Sequence, residues 1–123
     1  MTPGLIKSYK AEAAVEGYRI VKYGAADFQV VKGAAVGDNL IGISSSLDAA
    51  IGDMVDTVKA GPAEVRCGAA VTRGDKLTTD ANGKAVLAAP GAGVNNNIIA
   101  IADASGVLDD IIACTVVQGR IQG

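Results

Sequence analysis

A chain of 123 residues is enough for one domain with a modest core, and half of it is hydrophobic while only 3% is aromatic. The apolar content is therefore Ala, Val and Ile; at roughly 25 cal/mol per Å² of buried apolar surface each such side chain contributes little, which favours association with further chains. A net charge of −2, dispersed basic residues and the absence of histidine argue against a basic nucleic-acid footprint, a serine–histidine–aspartate site and most transition-metal centres.

Residues 1–16 (MTPGLIKSYKAEAAVE) differ in character from the rest and read as an extended N-terminal arm, leaving residues 17–123 as the β-domain. Pro3-Gly4 gives an irregular start. Leu5 and Ile6 are large aliphatics close to a terminus, to be packed either on their own domain or on a neighbouring subunit. Ala11–Val15 has helical propensity but is too short to hold as an isolated helix. Alternation predicts strands over Tyr18–Tyr23 and Phe28–Lys32, joined as a hairpin through Gly24-Ala25-Ala26-Asp27, and a third strand over Asn39–Ser44. Ser44-Ser45-Ser46 and the residues to Ala50 read as a loop. Met54–Lys59 and Ala63–Cys67 form a hairpin around Gly61-Pro62. Lys76–Thr79 and Lys84–Ala88 flank Asp80-Ala81-Asn82-Gly83, and Asn-Gly supplies the positive φ of a tight hairpin turn. Pro90–Asn97 reads as a flexible loop, followed by strands over Ile98–Ala102 and Ile111–Val117. That last strand is apolar on both faces, with Ile111, Ala113, Thr115 and Val117 on one and Ile112, Cys114 and Val116 on the other, so both faces are expected to be covered. Gln118–Gly123 reads as a polar tail.

Three times an apolar stretch meets Gly-Asp and a further β-prone run, at Gly37-Asp38, Gly52-Asp53 and Gly74-Asp75. Glycine provides φ > 0 and aspartate is expected to bond its own backbone just past the turn. Eight or nine short strands, spaced about 8–12 residues apart, predict an all-β fold: a small β-barrel or β-sandwich with an extended N-terminal arm.

The search for chemistry yields little. Gly91-Ala92-Gly93 lacks the strand-then-helix setting of a dinucleotide site. Asp109-Asp110 is a turn rather than a carboxylate pair, because neighbours on a strand point to opposite faces. Asp80-Ala81-Asn82-Gly83 fails as a calcium loop, since its twelfth position is Gly91 where a bidentate carboxylate is needed. Arg73-Gly74-Asp75 is one of the Gly-Asp turns and no adhesive motif. Cys67 and Cys114 are too few for a disulfide framework or a zinc site and read as buried free thiols, with a single bridge as the alternative. No catalytic residue, metal or cofactor is expected. Lys7, Lys10, Glu12 and Glu16 interrupt any signal-peptide core, and Asp103, Asp109 and Asp110 break the apolar tract Ile98–Val117, so the expectation is a protein made in the cytoplasm with no membrane partner.

One ordered pattern spans nearly the whole chain. It runs from Tyr9-Lys10-Ala11-Glu12-Ala13-Ala14-Val15 through Tyr18-Arg19-Ile20-Val21-Lys22, Leu40-Ile41-Gly42-Ile43-Ser44 and Asp48-Ala49-Ala50-Ile51-Gly52-Asp53-Met54-Val55. It continues through Gly61-Pro62-Ala63-Glu64-Val65, Gly68–Thr78 and Asp80–Val86 to Ile98-Ile99-Ala100-Ile101-Ala102. This order resembles the capsid-cement (head decoration) proteins of tailed bacteriophages and prophages. The resemblance implies a small β-rich protein, a homo-oligomer and most simply a trimer, on the outer surface of a mature virion head, where it clamps major capsid protein subunits. It carries no catalytic motif. It implies shell contacts by the arm and an exposed loop, here Thr2, Pro3, Gly4, Leu5, Ile6, Lys7 and Tyr9 with Val94, Asn95 and Asn96. The alternative is a small β-barrel module for a glycan or other ligand. Such sites need aromatic platforms, and only Tyr9, Tyr18, Tyr23 and Phe28 are available.

Overall fold

The computed structural model describes residues 5–122, which form ten strands. They are β1 (Ile6–Ala11), β2 (Ile20–Tyr23), β3 (Gln29–Lys32), β4 (Leu40–Ser44), β5 (Met54–Val58), β6 (Gly61–Arg66), β7 (Lys76–Thr79), β8 (Ala85–Leu87), β9 (Asn95–Ala102) and β10 (Ile111–Gln122). The first five close into a barrel in the order β1-β3-β2-β4-β5, and the rest make a sheet in the order β6-β10-β9-β7-β8. The all-β expectation holds, with a barrel packed on an open sheet.

The tenth strand is the one placed in the arm. β1 pairs antiparallel with β5 from Ile6↔Val58 to Lys10↔Met54, and parallel with β3 at Lys10↔Gln29 and Ala11↔Val30. Thus residues 6–11 are barrel wall rather than a separate arm; residues 1–4 of the expected arm lie outside the described residues. The Ala-rich stretch after β1 forms no helix, and Val15 instead bridges Ala49. The parallel β1–β3 pair has a geometric cause. A ring with an odd number of strands cannot alternate direction all the way round, so a five-stranded barrel needs at least one parallel pair.

The barrel interior explains the composition. Fewer strands give a narrower barrel, and here the interior is filled by Tyr9, Ala11, Val15, Val21, Val30, Ile41, Ala49 and Val55. β4 is buried along its whole length. Ile41 faces the barrel cluster, while Leu40 and Ile43 join Ile20 in a second cluster against Val65, Leu77, Ile99, Ile112 and Val116 of the sheet. Backbone bonds reinforce this contact: Ile20 N–H donates to the Gly83 carbonyl (2.7 Å), Arg66 N–H to the Tyr18 carbonyl (2.9 Å) and Asn97 N–H to the Val36 carbonyl (2.8 Å). The Asn82-Gly83 hairpin turn forms as expected, with Gly83 at φ 76°, and it is this turn that meets β2.

The Gly-Asp turns are built differently from the expectation. Each aspartate closes the turn with its own N–H and turns its carboxylate back to the residue three positions before it, not forward. Asp53 N–H donates to the Ala50 carbonyl (3.0 Å) and its Oδ2 accepts from Ala50 N–H (3.0 Å); Asp75 does the same with Thr72 (2.9 and 2.8 Å) and Asp38 with Ala35 (3.0 and 2.9 Å). A fourth copy, Val107-Leu108-Asp109-Asp110, has the same two bonds between Asp110 and Val107 (3.0 and 3.0 Å). It was read as a plain turn because Asp109 occupies the glycine position, at φ 69°.

Three of these turns, those at Asp53, Asp75 and Asp110, belong to a larger repeat with the turn at Tyr18, whereas the Gly37-Asp38 turn stands outside it and Gly37 does not take a positive φ. The third turn residue donates its N–H to a strand-end carbonyl: Gly52 to Ala11, Gly74 to Ala102, Asp109 to Cys67, and Tyr18 to Ser45, at 2.8, 2.7, 2.9 and 3.0 Å. All four donors have positive φ. Each lies seven positions after the acceptor of the reciprocal partner, so segments 11–18 and 45–52 clasp each other as 67–74 and 102–109 do, around the bridges Val15↔Ala49 and Val71↔Gly106. Barrel and sheet are thus two uses of one plan.

Three expectations near the C-terminus are corrected. β9 already begins at Asn95, inside the stretch read as loop, and β10 continues through the supposed polar tail by pairing Gly119↔Ile98 to Gln122↔Asn95 beyond a bulge. β10 also buries only one face: Ile112, Cys114 and Val116 enter the core, while Ile111, Ala113 and Val117 stay exposed. Among the described residues nothing covers them.

Both cysteines are buried free thiols. Burial pushes the Cys114 thiol up to about 12, with Asp103 adding to the effect, and burial likewise raises Cys67. The thiolate is the reactive form, so neither cysteine is expected to react with maleimide at pH 7.5 until denaturant unfolds the protein; fast labelling of the native chain contradicts this arrangement. The turn geometry sets a second test. Ala at Gly52 or Gly74, at φ 88° and 92°, is expected to cost about 1–2 kcal/mol by denaturant unfolding. Ala at Gly37, which has open space around it, is expected to be within about 0.5 kcal/mol of neutral. Gly42→Ala drives a Cβ into the Val58 carbonyl across the β4–β5 pair and is expected to cost about 2 kcal/mol or more.

Candidate functional site

The residues expected to touch a partner fall into two separate groups. Leu5, Ile6 and Lys7 are exposed at the start of the barrel's β1, and Val94 and Asn95 are exposed where β9 enters the sheet. Thr2, Pro3 and Gly4 lie outside the described residues. Two of the named residues are turned inward: Tyr9 is 3% exposed and Asn96 5%. Tyr9 belongs to the barrel interior, and Asn96, opposite Ile121 on β10, lies within the sheet. The pairing gives no link between the two groups, since β1 bonds only to β3 and β5, and β9 only to β7 and β10.

Other large apolar side chains are also on the surface. Ile51, at the tip of a Gly-Asp turn, is 73% exposed, and Leu47 and Met54 lie exposed to either side of it in sequence. Leu108 is the corresponding tip residue of the Val107–Asp110 turn and is exposed as well. The hydrogen bonds of a turn fix only its backbone, so these tips carry apolar side chains for which the fold has no internal use. Ile111, Ala113 and Val117 on the outer face of β10 add to this accessible apolar surface, as do Leu87 and Val107.

A third region joins side chains that are far apart in sequence. Side chains alternate across a strand, so the rows that enter the barrel interior continue to its mouth: Ala11 to Tyr9 to Lys7 on β1, Val21 to Tyr23 on β2, Val30 back to Phe28 before β3, and Val55 through Thr57 to Lys59 after β5. With the loop Gly24–Asp27 these residues line a cleft of about 360 Å³. Three of the four aromatics of the chain meet there. Tyr9 is the floor. Tyr23 meets it edge to face with centroids 6.4 Å apart. The Lys7 ammonium stands 5.6 Å from the Tyr9 ring centre and 5.4 Å from that of Phe28, and the Lys59 ammonium is 5.6 Å from the Tyr9 ring centre. A hydrogen bond with the Tyr9 side chain holds Lys59 above the ordinary lysine range. The cleft stays open because β3 pairs with β1 only at Lys10 and Ala11, leaving the first half of β1 free on that side.

Phe28 sits at φ 60° with its side chain 69% exposed. A left-handed conformation costs a bulky residue roughly 1–2 kcal/mol, and burial does not offset it here. Sequence reading missed this mouth by counting aromatics as scarce rather than tracing them by twos from the apolar positions of their strands. Among the described residues no three His, Cys, Asp or Glu side chains are placed to hold a metal ion.

No curated protein sequence matches the chain. Among solved structures, the head fiber gp8.5 N base of bacteriophage phi29 shares the fold, with a TM-score of 0.69 at 18% identity over 97% of this chain and 98% of that one. The family model described as phage cement protein matches residues 2–113, a span that contains the whole stretch from Tyr9 to Ala102 over which the motif order was followed, and the chain therefore belongs to the phage cement protein family, structural proteins of the phage head.

Proposed function

We propose that this protein decorates the outer surface of a mature phage head as a homo-oligomer, a trimer in the simplest case, and stabilises the head by bridging major capsid protein subunits. The observation that carries this reading is the set of large aliphatic side chains held outside by a well-formed core, at Leu5, Ile6, Leu47, Ile51 and Met54, in a member of the cement family. Its neighbour's description as a head fiber base agrees with a place on the head. The proposed shell contact comprises residues 2–6 with Val94 and Asn95; Tyr9 and Asn96 are too buried to take part, and Lys7 turns its ammonium to the barrel mouth over Tyr9 and Phe28. The outer face of β10 is the proposed contact between copies, since its apolar stripe continues a strand whose other face is core.

The mechanism is multivalency. A single exposed aliphatic contributes about 1.5–3 kcal/mol when fully buried. One subunit therefore binds weakly, while an oligomer that engages several sites at once gains affinity by an effective-concentration term of about 10²–10⁴. Only a lattice that presents the full footprint provides this gain, so expanded shells are favoured over procapsids.

Two outcomes are expected. In co-sedimentation the protein pellets with expanded shells and not with procapsids, and equal pelleting with both contradicts the lattice-matching mechanism. Deleting residues 2–4, which leaves the pairing of β1 untouched, or introducing Ile6→Asp, weakens shell binding about tenfold or more with unchanged circular dichroism. Val117→Asp instead lowers the solution mass toward that of a monomer and abolishes avid binding. A wild-type chain that stays monomeric on mature shells removes the oligomeric part of the proposal.

A further inference from the structure

We infer that the barrel mouth formed by Lys7, Tyr9, Tyr23, Phe28 and Lys59 is a binding site for an acidic saccharide, a function separate from attachment to the head. Three observations carry this. First, the site is built by the barrel itself. Lys7, Tyr9 and Tyr23 lie on β1 and β2, and Phe28 and Lys59 sit directly beside the ends of β3 and β5, so the strands of the barrel set the position of one wall while the β2–β3 connection Gly24–Asp27 supplies the other. Barrel mouths are recurrent ligand sites, and about 360 Å³ lies at the small end of the ~300–1,000 Å³ such sites span, the size for one or two sugar rings.

Second, the two ammonium groups converge on one ring. Each is held over an aromatic face. No carboxylate forms an ion pair with Lys7 or Lys59 among the described residues, whereas Lys22, Lys32 and Lys84 each have one. Third, Phe28 keeps an unfavourable backbone conformation and a solvent-exposed ring at the rim of this same cleft. Strain of this kind persists where a side chain has to be presented.

The ligand chemistry follows from the lining. Tyr23 and Phe28 offer partly open ring faces, whose negative potential suits the polarised C–H face of a pyranose. Lys7 and Lys59 suit a sugar carboxylate, and Asp27 at the rim accepts hydrogen bonds from hydroxyl groups. The same Asp27 repels a polyacidic peptide, which carries few donors to satisfy it.

The test is calorimetric titration of the full chain with trigalacturonic acid, against maltotriose, a poly-glutamate peptide and inorganic phosphate. Trigalacturonate is expected to bind with a Kd of about 0.1–1 mM, and the other three at least tenfold more weakly. Lys7→Gln and Lys59→Gln are each expected to weaken it about fivefold. Phe28→Asn, a residue that tolerates this φ, is expected to lose about tenfold in affinity while keeping or raising the melting temperature. That combination separates a ligand role from a structural one. Failure of trigalacturonate to bind at 10 mM (a ceiling of roughly ten times the weakest expected Kd) overturns the proposal. So does equal binding of maltotriose, tighter binding of poly-glutamate, phosphate binding as tight as the sugar acid, or full affinity in Phe28→Asn. Shell sedimentation of Lys59→Gln and Phe28→Asn is expected to match wild type, so a failed head-binding reading and a failed saccharide site give different results.

Discussion

The barrel is closed by two residues. Lys10 and Ala11 pair in parallel with Gln29 and Val30, and without that short ladder the five strands would be an open sheet in the order β3-β2-β4-β5-β1. Much else depends on this closure. It encloses an interior narrow enough to be filled by alanine and valine, which is why a chain with 3% aromatics can be well packed at all. It turns β4 into a shared wall, with Ile41 toward the barrel and Leu40 and Ile43 toward the sheet. Because it involves only the second half of β1, it also leaves the first half diverging from β3, and the mouth with its aromatic floor is the space that results.

The clasped turns serve this architecture by fixing where strands begin. β4, β5, β7 and β10 each start within two residues of an aspartate that closes the turn with its N–H and secures the turn's first residue with its carboxylate. Such turns specify the backbone and leave their tips unconstrained. The tips at Ile51 and Leu108 are therefore places where apolar side chains can be presented outward without disturbing the core. A protein that acts by adhering to a larger assembly needs such a division between a rigid interior and a permissive rim.

Much of this was legible in the sequence. Nine of the ten strands were anticipated, as were the Asn82-Gly83 hairpin, the buried thiols and the family, because alternation, turn chemistry and motif order are local signals that a linear reading captures. Three features were not. β1 escaped because its exposed Lys7, Ser8 and Lys10 mask the inward row of Tyr9 and Ala11, and only pairing with β5 reveals that row as a strand. The fourth aspartate turn, Val107–Asp110, escaped because Asp109 takes a conformation usually left to glycine. β10 was expected to be covered on both faces, since hydrophobicity shows that a surface wants burial but not whether the same chain supplies the cover.

By itself, then, the sequence determined nine of the ten strands, the Asn82-Gly83 hairpin, the absence of histidine and membership of the cement family. Each of these depends on residues adjacent in the chain or on their order along it, whereas β5 and β6, expected as a hairpin around Gly61-Pro62, enter the barrel and the sheet separately. The tertiary structure alone decided which faces remained open and which distant residues met. Whether Tyr9 faces solvent or the barrel interior, and whether Lys7, Tyr23, Phe28 and Lys59 share a cleft, depends on register between strands that lie tens of residues apart. An error of one residue in that register sends a side chain to the opposite face. The apolar outer stripe of β10 and the cationic, aromatic barrel mouth are both products of that register.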